Sequence, residues 1–428
     1  MKQSYVIRRS CLRGELQVPS SKSHSLRALL FASLADGDSL LSGVLDSPDT
    51  QAMINACRQM GAKIHSTAQG WQVSGVRGLP CCPQEVIDAG NSGQVLRFVG
   101  AISSLIDGYT VISGDHSIRH QRNVAPLLSG LQQLGCFAIS TKQDGFAPIV
   151  VKGPITGHYL EIDGQDSQPV SALLMAAAFA KHPIEINVTN PGEIPWVGLT
   201  LSWLDRLGIQ YQASSNWNRY QLFGQAHYFG FNYQVPGDFS SAAFSVVGAL
   251  ITRGWVKISN LDMQDSQGDK KLLEVLHALK MPLAFEQGAI QVGGDHCIPG
   301  FDLDVNDYID ALPILTVLAC FADDECQLRG AKVARTKESD RLSSMTQELR
   351  KMGADITEHA DGLSIRPRPL QGTHVYSHHD HRVAMALAVA GMGATGITHI
   401  DDVACVDKSY PGFSDAMQRL GAKLCIAY

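Results

Sequence analysis

Polar side chains that could bind an anion recur along this chain of 428 residues at a nearly constant spacing. They stand in six short clusters, each followed by an apolar run rich in small residues. The reference positions of the clusters, at intervals of 70, 75, 73, 70 and 72 residues, are Lys22, Ser92, Ser167, Ser240, Asp310 and Arg382. Because Ser, Asn and Asp satisfy backbone donors at a helix start, each cluster predicts an N-cap. A helix N-terminus carries about half a positive charge, so six converging starts would bind a polyanion.

Two acidic residues, Asp310 and Glu338, occur among the cations near these helix starts. The cations are Lys22, Arg27, Arg97, Arg122, Lys337, Arg341, Arg382 and Lys408. A non-catalytic scaffold for anions has no need of acids here, because lone acids only weaken anion binding. Segment 335–341 also has a simpler interpretation, a solvated helix start with ion pairs three and four residues apart.

The segment 377–382, Ser-His-His-Asp-His-Arg, could instead be a metal site, because His and Asp are metal ligands. Arg382 would repel a cation there, and the dipole of the predicted helix favours an anion. Anion binding is therefore the favoured interpretation. The sequence has no phosphate-binding loop and no dinucleotide fingerprint, so nucleotide chemistry lacks support.

A second repeated pattern indicates which elements position these residues. Five Leu-Gly or Met-Gly helix ends recur with a similar spacing, at Gly61, Gly135, Gly208, Gly353 and Gly421, and Lys280 takes the glycine position in the remaining slot. Glycine there supplies a left-handed C-cap, and most of these ends lead into a predicted hairpin. Two patterns in phase favour six repeats of strand, buried helix, strand, exposed helix and hairpin over chance similarity among α/β segments.

Composition indicates an ordinary globular protein, with 45% apolar residues and a net charge of −6. A chain of this length predicts two domains of three repeats each, with a hinge near 235–237. The acidic balance argues against bulk nucleic-acid binding and against a polybasic membrane contact. We expect no signal peptide and no membrane span. Ten scattered cysteines without disulfide or zinc spacing predict a reducing cytoplasm.

Five segments together resemble the signature blocks of the 5-enolpyruvylshikimate-3-phosphate synthase family. They are 19–27 (Pro-Ser-Ser-Lys-Ser-His-Ser-Leu-Arg), 90–93 (Gly-Asn-Ser-Gly), 337–341 (Lys-Glu-Ser-Asp-Arg), 380–382 (Asp-His-Arg) and 408–411 (Lys-Ser-Tyr-Pro). The resemblance covers the whole chain in order. It implies an α/β (α+β) fold, a two-domain inside-out α/β barrel of six βαβαββ repeats, three per domain, joined by two crossover strands.

The same resemblance implies the bounds of the two domains and the role of each. Residues 20–236 would form a domain that carries mainly acceptor-binding residues. Residues 1–19 with 237–428 would form the second, which carries Asp310, Glu338 and the cations that bind phosphoenolpyruvate.

The activity implied is an enolpyruvyl transfer in the shikimate pathway, without cofactor or metal, by an enzyme class that glyphosate inhibits. The 5-hydroxyl of shikimate 3-phosphate would add to C2 of phosphoenolpyruvate, and phosphate would leave from the tetrahedral intermediate. The partners would be these two small molecules, with no nucleic acid and no membrane. The chain would act as a cytoplasmic monomer in aromatic amino-acid biosynthesis.

Matching blocks also imply roles for single residues. Phosphoenolpyruvate would contact Lys22, Asn91, Ser92, Gly93, Arg122, Gln168, Arg341, Arg382 and Lys408. Shikimate 3-phosphate would contact Ser23, Arg27, Ser167, Gln168, Asp310 and Lys337. Arginine suits this task because its planar fork binds carboxylate or phosphate bidentately. The catalytic residues would be Lys22, Asp310 at the acceptor hydroxyl, and Glu338, which would protonate the methylene carbon and later take a proton back.

Some positions depart from the better-known members of the family, and two of them bring a carboxylate. Asp166 and Glu193 stand where those members have serines that hold the acceptor phosphate, and Val333 replaces an Asn. Gln94 and Asn123 replace the usual Thr and Pro. A carboxylate about 4 Å from a phosphate would cost roughly 4 kcal/mol per charge pair at an effective dielectric of 20. Either both acids turn away, with Ser167 and Lys337 holding the phosphate, or the acceptor is different; the first alternative is favoured.

A sister family that transfers enolpyruvyl to UDP-N-acetylglucosamine shares the implied fold. Its members have a Gly-x-Lys-Asn start and a mobile loop with a reactive Cys. This chain has Ser-Ser-Lys-Ser at 20–23 and no Cys in the loop 114–122. The sequence therefore disfavours that acceptor.

Overall fold

The structure, a computed structural model, describes residues 3–428, which form two compact units. The middle unit is Ser20–Val235. The terminal unit consists of the described residues up to Pro19 together with Pro236–Tyr428.

Strands β1 (Ser4–Arg8) and β2 (Arg13–Gln17) precede the middle unit and belong to the terminal unit. The helices of the middle unit are α1 (Lys22–Leu34), α2 (Pro48–Gln59), α3 (Gly93–Ile102), α4 (His116–His120), α5 (Ala125–Gln133), α6 (Ser167–Phe179) and α7 (Ile194–Arg206). Its strands are β3 (Asp38–Ser42), β4 (Lys63–Thr67), β5 (Gly70–Ser74), β6 (Ile87–Asp88), β7 (Thr110–Ser113), β8 (Phe137–Ser140), β9 (Ile149–Lys152), β10 (Tyr159–Asp163), β11 (Ile184–Thr189), β12 (Tyr211–Ala213), β13 (Arg219–Leu222) and β14 (Asn232–Gln234).

The terminal unit repeats this alternation. Its helices are α8 (Phe239–Ile251), α9 (Lys271–Ala278), α10 (Leu312–Cys320), α11 (Arg341–Lys351), α12 (His381–Gly393) and α13 (Phe413–Arg419). Its remaining strands are β15 (Trp255–Ser259), β16 (Leu283–Glu286), β17 (Ala289–Gly293), β18 (Asp302–Asp304), β19 (Cys326–Arg329), β20 (Asp355–His359), β21 (Gly362–Arg366), β22 (His374–Tyr376), β23 (Ile397–Asp401) and β24 (Lys423–Ala427).

Each unit has three four-stranded sheets with the same pairing, one parallel pair followed by two antiparallel pairs. In the middle unit the orders are β14-β3-β5-β4, β6-β7-β9-β8 and β10-β11-β13-β12. In the terminal unit they are β2-β15-β17-β16, β18-β19-β21-β20 and β22-β23-β1-β24. These sheets confirm the predicted six βαβαββ repeats. Strands from distant parts of the chain complete three sheets, so each unit closes on itself.

The first helix of each repeat is buried and the second is amphipathic. Helix α8 buries every residue from Phe239 to Leu250, and α12 every residue from His381 to Met392. Helix α11 instead buries Leu342, Met345 and Leu349 on one face, at the spacing of a helix that packs on one side. Each unit therefore has helices inside, sheets outside and its own hydrophobic core. Over residues 3–428, no helix is both long and apolar enough to cross a bilayer.

Five of the six predicted N-caps are confirmed. At the start of each buried helix except α10, the side chain of the N-cap residue accepts a hydrogen bond from a backbone N–H. These N-cap residues are Ser21, Ser92, Asp166, Asp238 and Asp380.

The N-cap predicted at 307–310 is wrong. These residues lie in a 3-10 segment, Asn306–Ala311, and α10 starts after it without a side-chain cap. Tyr308 (φ −135°, ψ 46°) leaves helical geometry, and Pro313 lies in the first turn of α10, where the missing N–H needs no partner. The carboxylate of Asp310 is thus available for other contacts.

The five predicted C-cap glycines all have positive φ, between 68° and 104°. Lys280 has the same left-handed conformation, with φ 58°, although it carries a Cβ. The backbone of the repeat therefore imposes this conformation whichever residue is present. Lysine there is strained, because a left-handed residue other than glycine costs about 1–2 kcal/mol.

Lys280→Gly is expected to raise the free energy of unfolding of the terminal unit by about 0.5–1 kcal/mol, because it relieves this strain. Urea titration followed by circular dichroism would measure the change. Lys280→Ala is the matched control: it removes the same side chain but keeps the Cβ, so it should not stabilise. Gly208→Ala should destabilise the middle unit, because Gly208 has φ 68° and alanine is strained there. An added Cβ would meet no neighbouring atom within 4 Å, so this variant measures the backbone strain without a steric clash. Equal stabilisation by the Gly and Ala variants at position 280 would contradict the backbone explanation.

Candidate active site

In the middle unit, most of the predicted site residues lie at the first turns of α1, α3 and α6, whereas Arg27 lies further along α1 and Arg122 follows α4. Lys22 is the first residue of α1, and its Nζ is 3.3 Å from Oδ2 of the buried Asp49 at the start of α2. The next residue, Ser23, accepts a hydrogen bond from Nε2 of Gln94 at 3.2 Å. The ammonium and the hydroxyl are therefore both oriented by neighbouring helices before any ligand is considered.

The start of α3 is built around Gly93. A Cβ at this position would lie 2.8 Å from Nη1 of Arg97 and 3.3 Å from Nε and Nη2 of Arg122. The absence of a Cβ at Gly93 lets two guanidinium groups approach the helix start this closely. Asn91 donates from Nδ2 to Asp115 at 2.5 Å, and Asp115 caps the short helix that precedes Arg122. The predicted cluster 91–93 thus packs against Arg122 at Gly93, and through Asn91 it is hydrogen-bonded to the cap of the helix that precedes Arg122.

Asp166, at the start of α6, is engaged inside the protein. Its Oδ1 accepts from the backbone N–H of Gln168 at 3.0 Å, which caps the helix. Its Oδ2 is 3.3 Å from Nη2 of Arg97, and Nη1 of Arg97 donates to Oε1 of Gln168 at 3.2 Å. Arg97, which the sequence interpretation gave no role in the site, therefore balances the Asp166 charge and orients Gln168.

Glu193 behaves differently. Its Oε2 accepts two hydrogen bonds from Ser167, from the backbone N–H and from the hydroxyl, both at 2.9 Å. Glu193 is buried and has φ 47°, immediately before α7. Glu193 thus turns toward Ser167, because a carboxylate is a good acceptor for the N–H groups at a helix start. The expectation that it turns away from the acceptor phosphate stays a prediction. The hydroxyl of Ser167, predicted to contact the acceptor, donates to this internal carboxylate.

Arg27 is buried in the middle unit. It donates from Nε and Nη2 to Oγ1 of Thr200, at 3.1 and 2.9 Å, and its guanidinium lies 5.0 Å from the centre of the Phe98 ring. These contacts connect α1 to α7 and α3. A role for Arg27 toward the acceptor stays a prediction.

In the terminal unit, Arg341 binds three carboxylates with one guanidinium. Nε donates to Asp380 at 2.8 Å, Nη1 to Asp310 at 2.7 Å, and Nη2 to Glu338 at 2.9 Å. The side chain is 1% exposed. Burial disfavours its charge, but Asp380, Glu338 and Asp310 outweigh burial and raise the pKa of Arg341 above its ordinary value. The two predicted catalytic acids are therefore held on the same cation.

Each of these two acids also binds a second predicted cation. Asp310 accepts from Nη2 of Arg382 at 2.8 Å, and Glu338 accepts from Nζ of Lys408 at 2.8 Å. Burial alone would raise the pKa of Asp310, but Arg382, Arg341 and Lys337 outweigh it and hold this pKa well below its usual range. The predicted site residues of this unit thus form one charge network.

The role of Asp380 in this network was missed. Its side chain is fully buried, its Oδ2 accepts from Arg341 and from the hydroxyl of Ser339 at 3.2 Å, and its Oδ1 accepts from the backbone N–H of Arg382 at 2.9 Å. It therefore orients one arginine and caps the helix that carries the other. The available signal was its place in the segment Asp-His-Arg. Asp49, the partner of Lys22, gave no comparable signal.

The histidines before α12 bind acids instead of forming a metal cluster. Nε2 of His378 is 2.8 Å from Oε1 of Glu348, and Nδ1 of His379 is 3.0 Å from Oδ2 of Asp402. Within the part of the chain that the structure describes, no three His, Cys, Asp or Glu side chains are grouped so that they could hold a metal ion. The metal interpretation of segment 377–382 therefore has no ligand set to support it.

Comparison with known proteins identifies the family of this chain. The family model described as EPSP synthase (3-phosphoshikimate 1-carboxyvinyltransferase) matches residues 7–417. A protein of Chlamydia caviae named 3-phosphoshikimate 1-carboxyvinyltransferase is 42% identical over 424 residues, 98% of this chain and 94% of the relative. One of the same name from Acetivibrio thermocellus is 41% identical over 418 residues, 98% of each chain. The solved EPSP synthase of Acinetobacter baumannii has a TM-score of 0.84 at 27% identity, with both chains fully covered. This chain belongs to the EPSP synthase family.

Proposed function

We propose that this chain transfers the enolpyruvyl group of phosphoenolpyruvate to the 5-hydroxyl of shikimate 3-phosphate and releases phosphate. The names of its relatives and its family support this activity. The observation that carries the proposal is the placement of Asp310 and Glu338 on one buried guanidinium, that of Arg341. Two acids inside a cation cluster weaken simple anion binding, so they favour catalysis over a scaffold role. We also propose that the chain acts as a cytoplasmic monomer.

The cations of the network are proposed to bind phosphoenolpyruvate. A carboxylate and a phosphate leave water only when several charged donors replace their hydration. In the terminal unit the donors would be Arg341, Arg382 and Lys408. In the middle unit they would be Lys22, Asn91, Ser92, Gly93, Arg122 and Gln168. The internal carboxylates hold the cations in fixed positions, which lowers the cost of reorganisation when the substrate binds.

The reaction would proceed by addition and elimination. Asp310 takes the proton of the acceptor hydroxyl as its oxygen bonds to C2, while Glu338 gives a proton to C3 and converts the methylene to a methyl group. The C2–O bond to phosphate then breaks, and the phosphate leaves with the electron pair and the proton held by Asp310. Glu338 takes a proton back from the methyl group, which restores the double bond. Bound substrate anions would partly neutralise Arg341 and Lys408, which favours proton uptake by Glu338.

The acceptor is proposed to bind at Ser23, Arg27, Ser167, Gln168, Asp310 and Lys337. Its phosphate would have to compete with Glu193 for the N–H and hydroxyl of Ser167. Asp166 raises no such conflict, because Arg97 offsets its charge.

A phosphate-release assay tests this function. Purified protein should release inorganic phosphate from phosphoenolpyruvate when shikimate 3-phosphate is present, and release much less with unphosphorylated shikimate. Equal rates with both acceptors would favour an enolpyruvyl transferase for a different acceptor. No release with either would leave the non-catalytic scaffold as the explanation.

Glu338→Gln should lower turnover by about 10²–10⁴-fold, because only the proton transfer to and from C3 is lost. Affinity for shikimate 3-phosphate, measured by calorimetry, should stay within a few-fold. The matched control is Glu358→Gln, which removes a glutamate of the same unit that binds Arg335 and Ser343. A loss of affinity as large as the loss of turnover would remove Glu338 from the chemistry.

Glu193→Gln should lower the KM for shikimate 3-phosphate about threefold or more, since it removes a negative charge that competes for Ser167. The KM for phosphoenolpyruvate should change less. Asp166→Asn serves as the control: its carboxylate faces Arg97, so the variant should give no gain in acceptor affinity. Weaker binding of shikimate 3-phosphate by Glu193→Gln would show that the carboxylate supports the acceptor instead of opposing it.

A further inference from the structure

A buried carboxyl group without a role in the proposed reaction, that of Asp269, lies beside Arg382. Asp269 belongs to the 3-10 segment Gly268–Lys270 between β15 and α9. Its side chain is fully buried. Oδ2 is hydrogen-bonded to the hydroxyl of Ser240 on α8, and among residues 3–428 Oδ1 has no hydrogen-bond partner.

Asp269 and Asp310 contact the same guanidinium unequally. Nη2 of Arg382 donates to Asp310 at 2.8 Å, whereas Nη1 is 4.0 Å from Oδ2 of Asp269, beyond hydrogen-bond distance. Among the described residues, the guanidinium of Arg382 makes one hydrogen bond, the one to Asp310. Arg382 is thus held by one carboxylate, and its Nη1 side is turned to the second acid without being bound by it.

The contacts of Asp269 suit a neutral carboxyl group better than a carboxylate. A buried charge with an unpartnered oxygen is expensive, and a neutral acid in the same position is much less so. The hydroxyl of Ser240 can accept a hydrogen bond from a protonated Asp269 as readily as it can donate one to the carboxylate, because a serine hydroxyl does both. Consistent with this geometry, burial and the charge of Asp310 raise the pKa of Asp269 to about 7, while Arg382 and Ser240 oppose the rise.

The other charged groups near this segment do not offset a charge on Asp269. Asp238, at the start of α8, is a further acid that disfavours ionisation. Lys270 directs its Nζ to the carbonyls of Met263 and Asp265. On α9, Lys271 and Glu274 form an exposed pair. Arg382 is therefore the cation whose charge Asp269 would share if it ionised.

We propose that Asp269 is a positioning residue for phosphoenolpyruvate: when neutral it leaves the Nη1 side of Arg382 for the substrate anion, and when ionised it competes with that anion. The proposal rests on the proposed function, in which Arg382 binds phosphoenolpyruvate. It adds a carboxyl group that would make substrate affinity depend on pH around neutrality.

The kinetic test compares wild type with Asp269→Asn between pH 5.5 and 8.5. The KM for phosphoenolpyruvate should rise with pH in the wild type by at least threefold more than in the variant, whereas kcat should differ less. The ionisation of the substrate changes with pH equally for both proteins. The ratio of their KM values therefore reports only the effect of Asp269. A ratio that stays constant across this range would overturn the proposal.

Ser240→Ala is a second variant, useful also if Asp269→Asn does not fold. It removes a hydrogen bond that is stronger to the ionised carboxylate than to the neutral acid. Its removal should raise the pKa of Asp269, so the rise of the KM for phosphoenolpyruvate should move to higher pH. A rise that stays at the wild-type pH, or moves to lower pH, would count against Asp269 as its origin.

Unfolding gives a measurement that does not depend on activity. The pKa of Asp269 is about 7 in the folded chain, against 3.8 for an ordinary Asp, so between these values the folded chain keeps a proton that the unfolded chain releases. The stability that this proton contributes is therefore present in full below about pH 4 and is lost as pH rises to 7. The Tm of Asp269→Asn minus that of wild type should therefore increase by several degrees from pH 4 to pH 7 and then level off. Glu274→Gln, which removes an exposed glutamate of α9, should give a constant difference.

The two measurements separate the possible failures. No phosphate release by wild type would reject the proposed function, while the unfolding difference would still report whether Asp269 is neutral. A KM ratio that is flat alongside the expected unfolding curve would mean that Asp269 is neutral but does not govern the substrate. A flat or falling unfolding difference would mean that it is ionised in the folded chain, and would overturn the proposal outright.

Discussion

The charge network of the terminal unit depends on one buried guanidinium, that of Arg341. Among the described residues, Arg341 is the only side chain that binds Asp310, Glu338 and Asp380 together. Removing one partner from a buried ion network typically costs about 3–5 kcal/mol, because it leaves an uncompensated charge. The positions of both proposed acids and of the start of α12 are therefore fixed by the same side chain.

The repeated fold explains how such a network can be assembled from distant parts of the chain. Residues near the starts of the buried helices contact those of other repeats in the same unit: Gln94 donates to Ser23, Arg97 to Gln168, and Arg382 to Asp310. Asp310 lies just before α10, and Glu338 and Arg341 lie at the start of α11 in the same repeat. Arg382 lies at the start of α12, the buried helix of the next repeat. The closing strands, β1 in the last sheet and β14 in the first, hold the repeats in register. The middle unit uses the same plan to gather Lys22, the 91–93 cluster and Gln168 at helix starts.

The sequence predicted what is encoded locally and missed what depends on tertiary contacts. Caps and left-handed glycines act within a few residues, so the six repeats could be identified from their spacing. The cap expected at 307–310 failed because Pro313 and the backbone of Tyr308 change the helix start. The bond between Glu193 and Ser167 joins residues 26 positions apart, and the burial of Asp269 has no local signal. Both features come from packing between helices, which a single sequence does not display.

The central claim is that an exchangeable carboxyl group, proposed to be that of Glu338, adds a proton to C3 of phosphoenolpyruvate and later removes one. The most direct test is to run the reaction with shikimate 3-phosphate in deuterium oxide and examine the enolpyruvyl group of the product by NMR. A carboxyl group that exchanges with solvent would deliver deuterium to a transient methyl group, so the product should carry deuterium in its methylene group. A product that retains only the original hydrogens at C3 would contradict the account.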